Sequence, residues 1–355
     1  MEPQRSARKS LLPRSLAVGA ASVALAAAAV VTGAAASPAR PAARQPQRVF
    51  PLDLSNPTKA LCKKPSYKIG YDVFSDSQPF AVTLSNGLKS SAKKVGCATI
   101  VQTVDNMNGP QAIANLHTLI NEGINGFVDF QVLAAYQPAM AKILKTAKLP
   151  AVTVVGATLP GFPQVGLDPF NTEKAGATYM AEQAKKRFPG QIPYFLGGAE
   201  PASGAAVFAR YLGAVAGVKA VFPNIPKSHI IEVISNGVAT TAYSNTLSAL
   251  SAVPKNAVVM VQAVNDEDTG GMFNAVKARG FTNYLAEDYG GDSYGLGQVC
   301  KYPTHYVGSW YLDPFGWGPV LLSLEMMQMN GQKVPMVTNI TGFEVTRTSP
   351  QAGCK

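Results

Sequence analysis

Histidine and tryptophan are scarce: three and two in 355 residues. His117, His229 and His305 are far apart, so no H-E-x-x-H zinc pair exists. There is no G-x-S-x-G elbow and no G-x-x-x-x-G-K-[ST] loop, which removes the signatures of a serine hydrolase and a P-loop nucleotidase. Gly197-Gly198-Ala199-Glu200 lacks both the phosphate-loop lysine and the third glycine of a dinucleotide fingerprint. No cofactor is called for. The four cysteines include no C-x-x-C, which argues against zinc and thioredoxin chemistry. Basic blocks are missing too. The net charge of +10 is concentrated at the N-terminus, and from Pro51 onward 24 basic residues face 20 acidic ones. A nucleic-acid face is therefore not expected. Gly 32 and Pro 26 are ordinary, and 47% hydrophobic residues are too many for a disordered chain.

Residues 1–36 read as a secretory signal. Arg5, Arg8, Lys9 and Arg14 precede the apolar run 16–31, and Ala34-Ala35-Ala36 precede Ser37. The competing reading is an uncleaved anchor. An exported chain with Cys62, Cys97, Cys300 and Cys354 is expected to hold disulfides, with three pairings open. The prolines across 37–65 read as an extended linker.

A βα alternation follows. Short apolar strands are expected at 67–74, 98–104, 126–130 and 151–155, with helices at 79–95, 110–122 and 134–148 between them. The rhythm resumes after Gly166. Helices at 172–188, 201–216, 240–252 and 267–279 alternate with strands at 192–196, 229–234, 257–261 and 283–286, before a strand at 305–311 and a helix at 319–330. Apolar strands alternating with amphipathic helices predict two doubly wound parallel α/β sheets. Such sheets bind ligands beyond the strand C-termini.

The residues at those ends are polar and aromatic: Gln78 and Phe80, Asp129, Asn265, Asp288 and Trp310. Flat aromatic faces beside hydrogen-bonding groups suit a small ligand cleft. The competing readings are helix capping for the acidic clusters and Asn265, and core packing for the aromatics.

Three stretches carry a family resemblance. They are Ile69-Gly70-Tyr71 through Gln78-Pro79-Phe80, Val264-Asn265-Asp266-Glu267 with Gly270-Gly271, and Leu312-Asp313-Pro314-Phe315 with Gly318. Over residues 67–337 the sequence resembles the type 1 periplasmic solute-binding proteins of the ribose-binding kind, which serve ABC importers. The resemblance implies two lobes joined by a three-crossing hinge: 66–160 plus 312–336, and 161–311 plus 337–355. It implies that Phe80 stacks on a sugar ring, that Gln78 and Asn265 bind hydroxyls, and that Asp288 accepts two of them. Leu312 replaces a hinge glutamine, Val155-Gly156 replaces an Asp-Arg pair, and Arg210 lies four residues late for the usual arginine.

The reading is therefore an exported, monomeric, non-enzymatic binding protein. It captures a sugar-like solute for the membrane permease of an ABC importer and does not bind nucleic acid. The alternatives are a sensor docking on a membrane receptor, or a secreted enzyme using Asp129 and Asp288 as paired carboxylates. The pairing expected is Cys62–Cys97, where adjacent parallel strands begin, and Cys300–Cys354, both in the second lobe.

Overall fold

The computed structural model describes residues 51–354 except 52 and 155. The expected signal and most of the expected linker lie outside the described residues. The first sheet begins with β1 (Tyr67–Val73), α1 (Pro79–Val95), β2 (Ala98–Val104), α2 (Gly109–Asn121), β3 (Gly126–Phe130), α3 (Gln137–Ala147), β4 (Ala151–Val154) and β5 (Gln164–Gly166). The second is built from α4 (Pro169–Arg187), β6 (Tyr194–Ala199), α5 (Ala205–Val221), β7 (Ile230–Ile234), α6 (Ala239–Ala249), β8 (Val259–Gln262), α7 (Asp266–Ala278), β9 (Tyr284–Gly290), α8 (Ser293–Lys301) and β10 (Tyr306–Tyr311). The chain then returns as α9 (Pro314–Met329) and β11 (Val337–Asn339) and ends in β12 (Phe343–Val345).

The strand orders are β11-β5-β4-β3-β1-β2 and β12-β10-β9-β8-β6-β7. Every pairing is parallel except β10 with β12. The central strands are covered on both faces, which is why they read as apolar runs: β3, β4, β8 and β9 are buried throughout. The edge strands β2 and β7 are the mixed ones.

The chain crosses between sheets at 167–168, 312–313 and 340–342. The expected lobe boundaries after 160 and after 336 thus fall one strand early, since β5 and β11 both belong to the first sheet. Strands of three residues are too short to show a period, and β12 escaped the sequence for the same reason. From residue 51 the expected linker is docked. Ser323 donates to the Leu54 carbonyl (2.8 Å), Asn330 donates to the Leu61 carbonyl (2.9 Å), and Pro57 is buried.

Both disulfides are present as expected, Cys62–Cys97 and Cys300–Cys354. Each joins two points of one lobe, so neither bridges the two lobes. The helices α1 and α9 meet backbone to backbone. A Cβ on Gly87 would lie 2.0 Å from the Phe315 carbonyl oxygen, and one on Gly318 would lie 2.1 Å from the Leu88 nitrogen. Pro319 inside α9 cannot bond back to Phe315, whose carbonyl faces Gly87 instead. Among the described residues no helix is long and apolar enough to cross a membrane.

Candidate ligand cleft

The C-terminal ends of both sheets enclose a cavity of about 90 Å³. A water needs at least roughly 10–15 Å³ on that measure, so the space holds about six to nine such groups. That is the scale of a small molecule.

The first lobe lines it with aromatic surface. Phe74 follows β1, Phe80 sits in the first turn of α1, Phe130 ends β3, and Trp317 comes from α9. These rings interlock edge to face: Phe74–Phe130 at 4.8 Å, Phe80–Trp317 at 5.7 Å and Phe80–Phe130 at 6.4 Å. Trp317 spends its indole N–H on the Leu312 carbonyl at 2.9 Å. Leu312 itself, in the second crossing, adds apolar surface where the sequence suggested a lost polar contact. Apart from the engaged Trp317 indole, Gln78 is the one hydrogen-bonding side chain among the described first-lobe residues on this wall. It caps α1, accepting from the Ala81 N–H, and donates to Glu267 of the other lobe at 2.9 Å.

The second lobe supplies polar groups: Glu200 after β6, Arg210 in α5, Asn265 and Asp266 at the start of α7, Tyr289 in β9 and Asp292 before α8. Arg210 donates from Nη1 to the Val264 carbonyl (2.7 Å) and lies 5.0 Å over the Tyr289 ring. Asn265 caps α7 through Oδ1, accepting from the Asp268 N–H at 2.7 Å, while its amide donates to the Gly237 carbonyl at 3.4 Å. It therefore fills both roles that the sequence left open, lining the cavity and capping a helix. Asp266 accepts the Asp292 N–H at 2.9 Å, and Asp292 Oδ1 accepts the N–H groups of Tyr294 and Gly295.

Burial dominates the electrostatics. It raises Asp266 well above the usual carboxylate range, with the Asp292 and Asp288 charges adding to it. Glu267 rises to about 7 through burial and the Asp292 charge, against the lowering bond from Gln78. Asp292 is raised by burial despite its two N–H donors. Glu200 is raised by burial and held back by the Ser203 hydroxyl and by Arg210. Among the described residues no group of three His, Cys, Asp or Glu is arranged to hold a metal ion.

Of the six expected site residues, the fold brings Gln78, Phe80 and Asn265 to the cavity and leaves three outside its lining. Asp129 is fully buried within β3, opposite Asp72, and accepts from Gln137 Nε2 (2.7 Å) and Thr153 Oγ1 (3.3 Å). The same Gln137 nitrogen reaches the Ala157 carbonyl, so Asp129 ties α3 and the loop after β4 to the sheet. Burial pushes its pKa up to about 8. Asp288 precedes Tyr289 in β9, and adjacent strand residues point to opposite faces. Tyr289 therefore takes the cavity, while Asp288 turns to the side of Tyr294 and Tyr306 and is fully buried. Trp310 packs at the third crossing, where a Cβ on Gly342 would lie 2.3 Å from its indole nitrogen.

Arg210 is the main residue that sequence reasoning set aside. The helix expected over 201–216 is a 3-10 turn, Pro201–Ser203, then a break at Gly204 (φ +88°), then α5 from Ala205. The later start brings Arg210 into the cavity. The signal was Pro201 followed three residues on by glycine, a turn that delays the helix. Glu200 and Asp292 also line the cavity and were not among the expected residues.

A family model described as periplasmic binding protein domain matches residues 69–293. Among solved structures the chain is similar to an ABC transporter solute-binding protein from Mycobacterium smegmatis with bound glycerol. The identity is 20%, coverage is 81% of this chain and 96% of that one, and the TM-score is 0.68. It is also similar to a periplasmic solute-binding protein from Actinobacillus succinogenes 130z with bound D-allose (18%, 81% and 99%, 0.66). A third is a solute-binding protein from Bacillus halodurans C-125 with bound myo-inositol (14%, 80% and 96%, 0.67). At these identities the likeness shows the fold. No curated protein matches the chain.

Proposed function

The chain belongs to the periplasmic binding protein domain family, and from that premise we propose that it captures a small hydroxylated, sugar-like solute between its lobes. It acts outside the cytoplasm and delivers the solute to the permease of an ABC importer. The observation that carries this reading is the cavity itself, with interlocked rings on one wall and Glu200, Arg210, Asn265, Asp266 and Asp292 on the other. A pyranose or polyol has the same division, a carbon face and a hydroxyl edge. The hydroxylated ligands of the similar solved structures support that class.

Binding without catalysis is the better reading of the carboxylates. Asp129 and Asp288, the pair on which the enzyme reading rests, both lie outside the cavity lining. Closure is favoured because a ligand touching both walls interacts only with the closed state.

A thermal-shift screen of sugars, polyols and nucleosides tests the proposal. A true ligand at 100 times its Kd adds about 2.7 kcal/mol of stability. A gene-deletion strain should then fail to accumulate the radiolabelled hit. A screen without any stabilising compound, or normal uptake in the deletion strain, would overturn capture or delivery respectively.

A further inference from the structure

The two walls of the cavity differ in more than polarity. Asp266 and Asp292 line the second wall, with Glu267 in contact with Gln78 beside them. Among the described residues that line the cavity, Arg210 is the one cation, and it is engaged with the Val264 carbonyl and the Tyr289 ring. Asp266, Glu267 and Asp292 form no ion pair with a lysine or arginine among the described residues. Asp292 lines the cavity and is only 2% exposed; its Oδ2 accepts from no N–H donor, and its carboxyl meets those of Asp266 and Glu267. A buried carboxylate without a counter-charge is costly, and more so beside others of like sign. The wall is complete in acceptors and short of one positive donor.

We propose that the ligand supplies that donor: the cavity takes a small aminated sugar or polyol whose protonated amine pairs with Asp292 Oδ2 and whose carbon face rests on Phe80 and Trp317. This rests on the reading of the cavity as the ligand site and adds the charge class. A neutral polyol can donate hydroxyls to the same oxygens but leaves their charge uncompensated. An ammonium both donates and neutralises, and such charge-assisted bonds are about twice as strong as neutral ones. An acidic sugar would meet Asp266 and Asp292 as like charges. Burial raises all three acids, and the Asp292 charge raises Asp266 and Glu267 further, which is the same shortage seen from the proton's side.

Matched pairs test it: glucosamine against glucose and glucamine against sorbitol, titrated by calorimetry into the whole exported protein at pH 6.5. The expected result is at least ten-fold tighter binding of the amine in one pair or both, with the ratio falling toward one in Asp292→Asn. Equal or tighter binding of the neutral partner overturns the amine and leaves the proposed function standing. A preference that survives unchanged in a folded Asp292→Asn overturns the assignment to that carboxylate. Failure of all four probes to bind overturns the aminated class, while the broader ligand screen still decides whether the cavity binds any solute. Should Asp292→Asn not fold, the ratio in the native protein decides.

Discussion

Gln78 holds its own helix with one end of its amide and the opposite lobe with the other. Its Oε1 accepts the Ala81 N–H at 2.7 Å and its Nε2 donates to Glu267 Oε2 at 2.9 Å. Gln78→Glu separates the two roles. A carboxylate still caps α1 and suits the helix dipole, but it faces Glu267 as a like charge. A hydrogen bond to a charged group contributes about 1.5–3 kcal/mol. The variant should therefore keep its apo melting temperature and bind ligand at least ten-fold more weakly, about 1.4 kcal/mol per decade. Calorimetry gives the affinity, and small-angle scattering should give a larger radius for the apo protein. Unchanged affinity would show that the bridge does not help to hold the lobes together.

The pH dependence of stability should run opposite to that of a protein held by surface ion pairs. Burial raises Asp105 to about 7 and Asp129, Glu173 and Glu325 to about 8. A carboxyl with a raised pKa keeps its proton in the folded state after the unfolded chain has lost it. Stability therefore falls as pH rises from about 4, where the unfolded groups ionise, to about 8. Scanning calorimetry should give a higher Tm at pH 5 than at pH 8.

Glu325→Gln should remove part of that slope. Glu325 is fully buried and accepts from the Phe127 N–H at 3.0 Å, a bond that a glutamine oxygen can keep. The variant is expected to melt above the native protein at pH 8 and close to it at pH 5. A lower Tm at both values would mean that the carboxyl makes contacts an amide cannot replace.

Gly318→Ala should destabilise the first lobe. The added methyl meets backbone of α1, which cannot swing aside as a side chain would. Overpacking of this kind costs about 1–3 kcal/mol. Chemical denaturation measures it, and Gly297→Ala serves as a control because nothing lies within 4 Å of a Cβ there.

Reducing the two disulfides should lower stability without changing how ligand is held. Their loops span sequence separations of 35 and 54 residues, for which chain entropy suggests about 4 kcal/mol each. Each lies within one lobe, so the hinge stays free in both redox states. Melting with and without reductant checks the first statement, and affinity under both conditions checks the second.

The architecture was legible because its signals are long. β1, β3, β8 and β9 are almost wholly buried and mostly apolar, and helices such as α1 show one continuous buried stripe (Ala81, Leu84, Leu88, Ala92, Val95). The site was legible where a residue opens a helix straight after a strand, as Gln78, Phe80 and Asn265 do. It was not legible where one residue decides a direction. Whether Asp288 or Tyr289 meets the cavity depends on the pleat of β9 alone, and both types suit a sugar site. Arg210 was misjudged by a helix start displaced at Gly204. Asp129 and Trp310 fit the composition of a ligand site but face an interior loop and a crossing.

The order in which the chain is made has a consequence for how it can fold. The first sheet lacks its outer strand until Val337–Asn339 exists, and α1 lacks its partner until α9 does. Both arrive after the entire second lobe. During synthesis or translocation the apolar stripe of α1 and the open edge of β5 must wait for roughly half of the chain. The first half to emerge is the last to be finished. Anything that delays the second lobe prolongs the exposure of the first, and no cut between the lobes yields a self-sufficient piece.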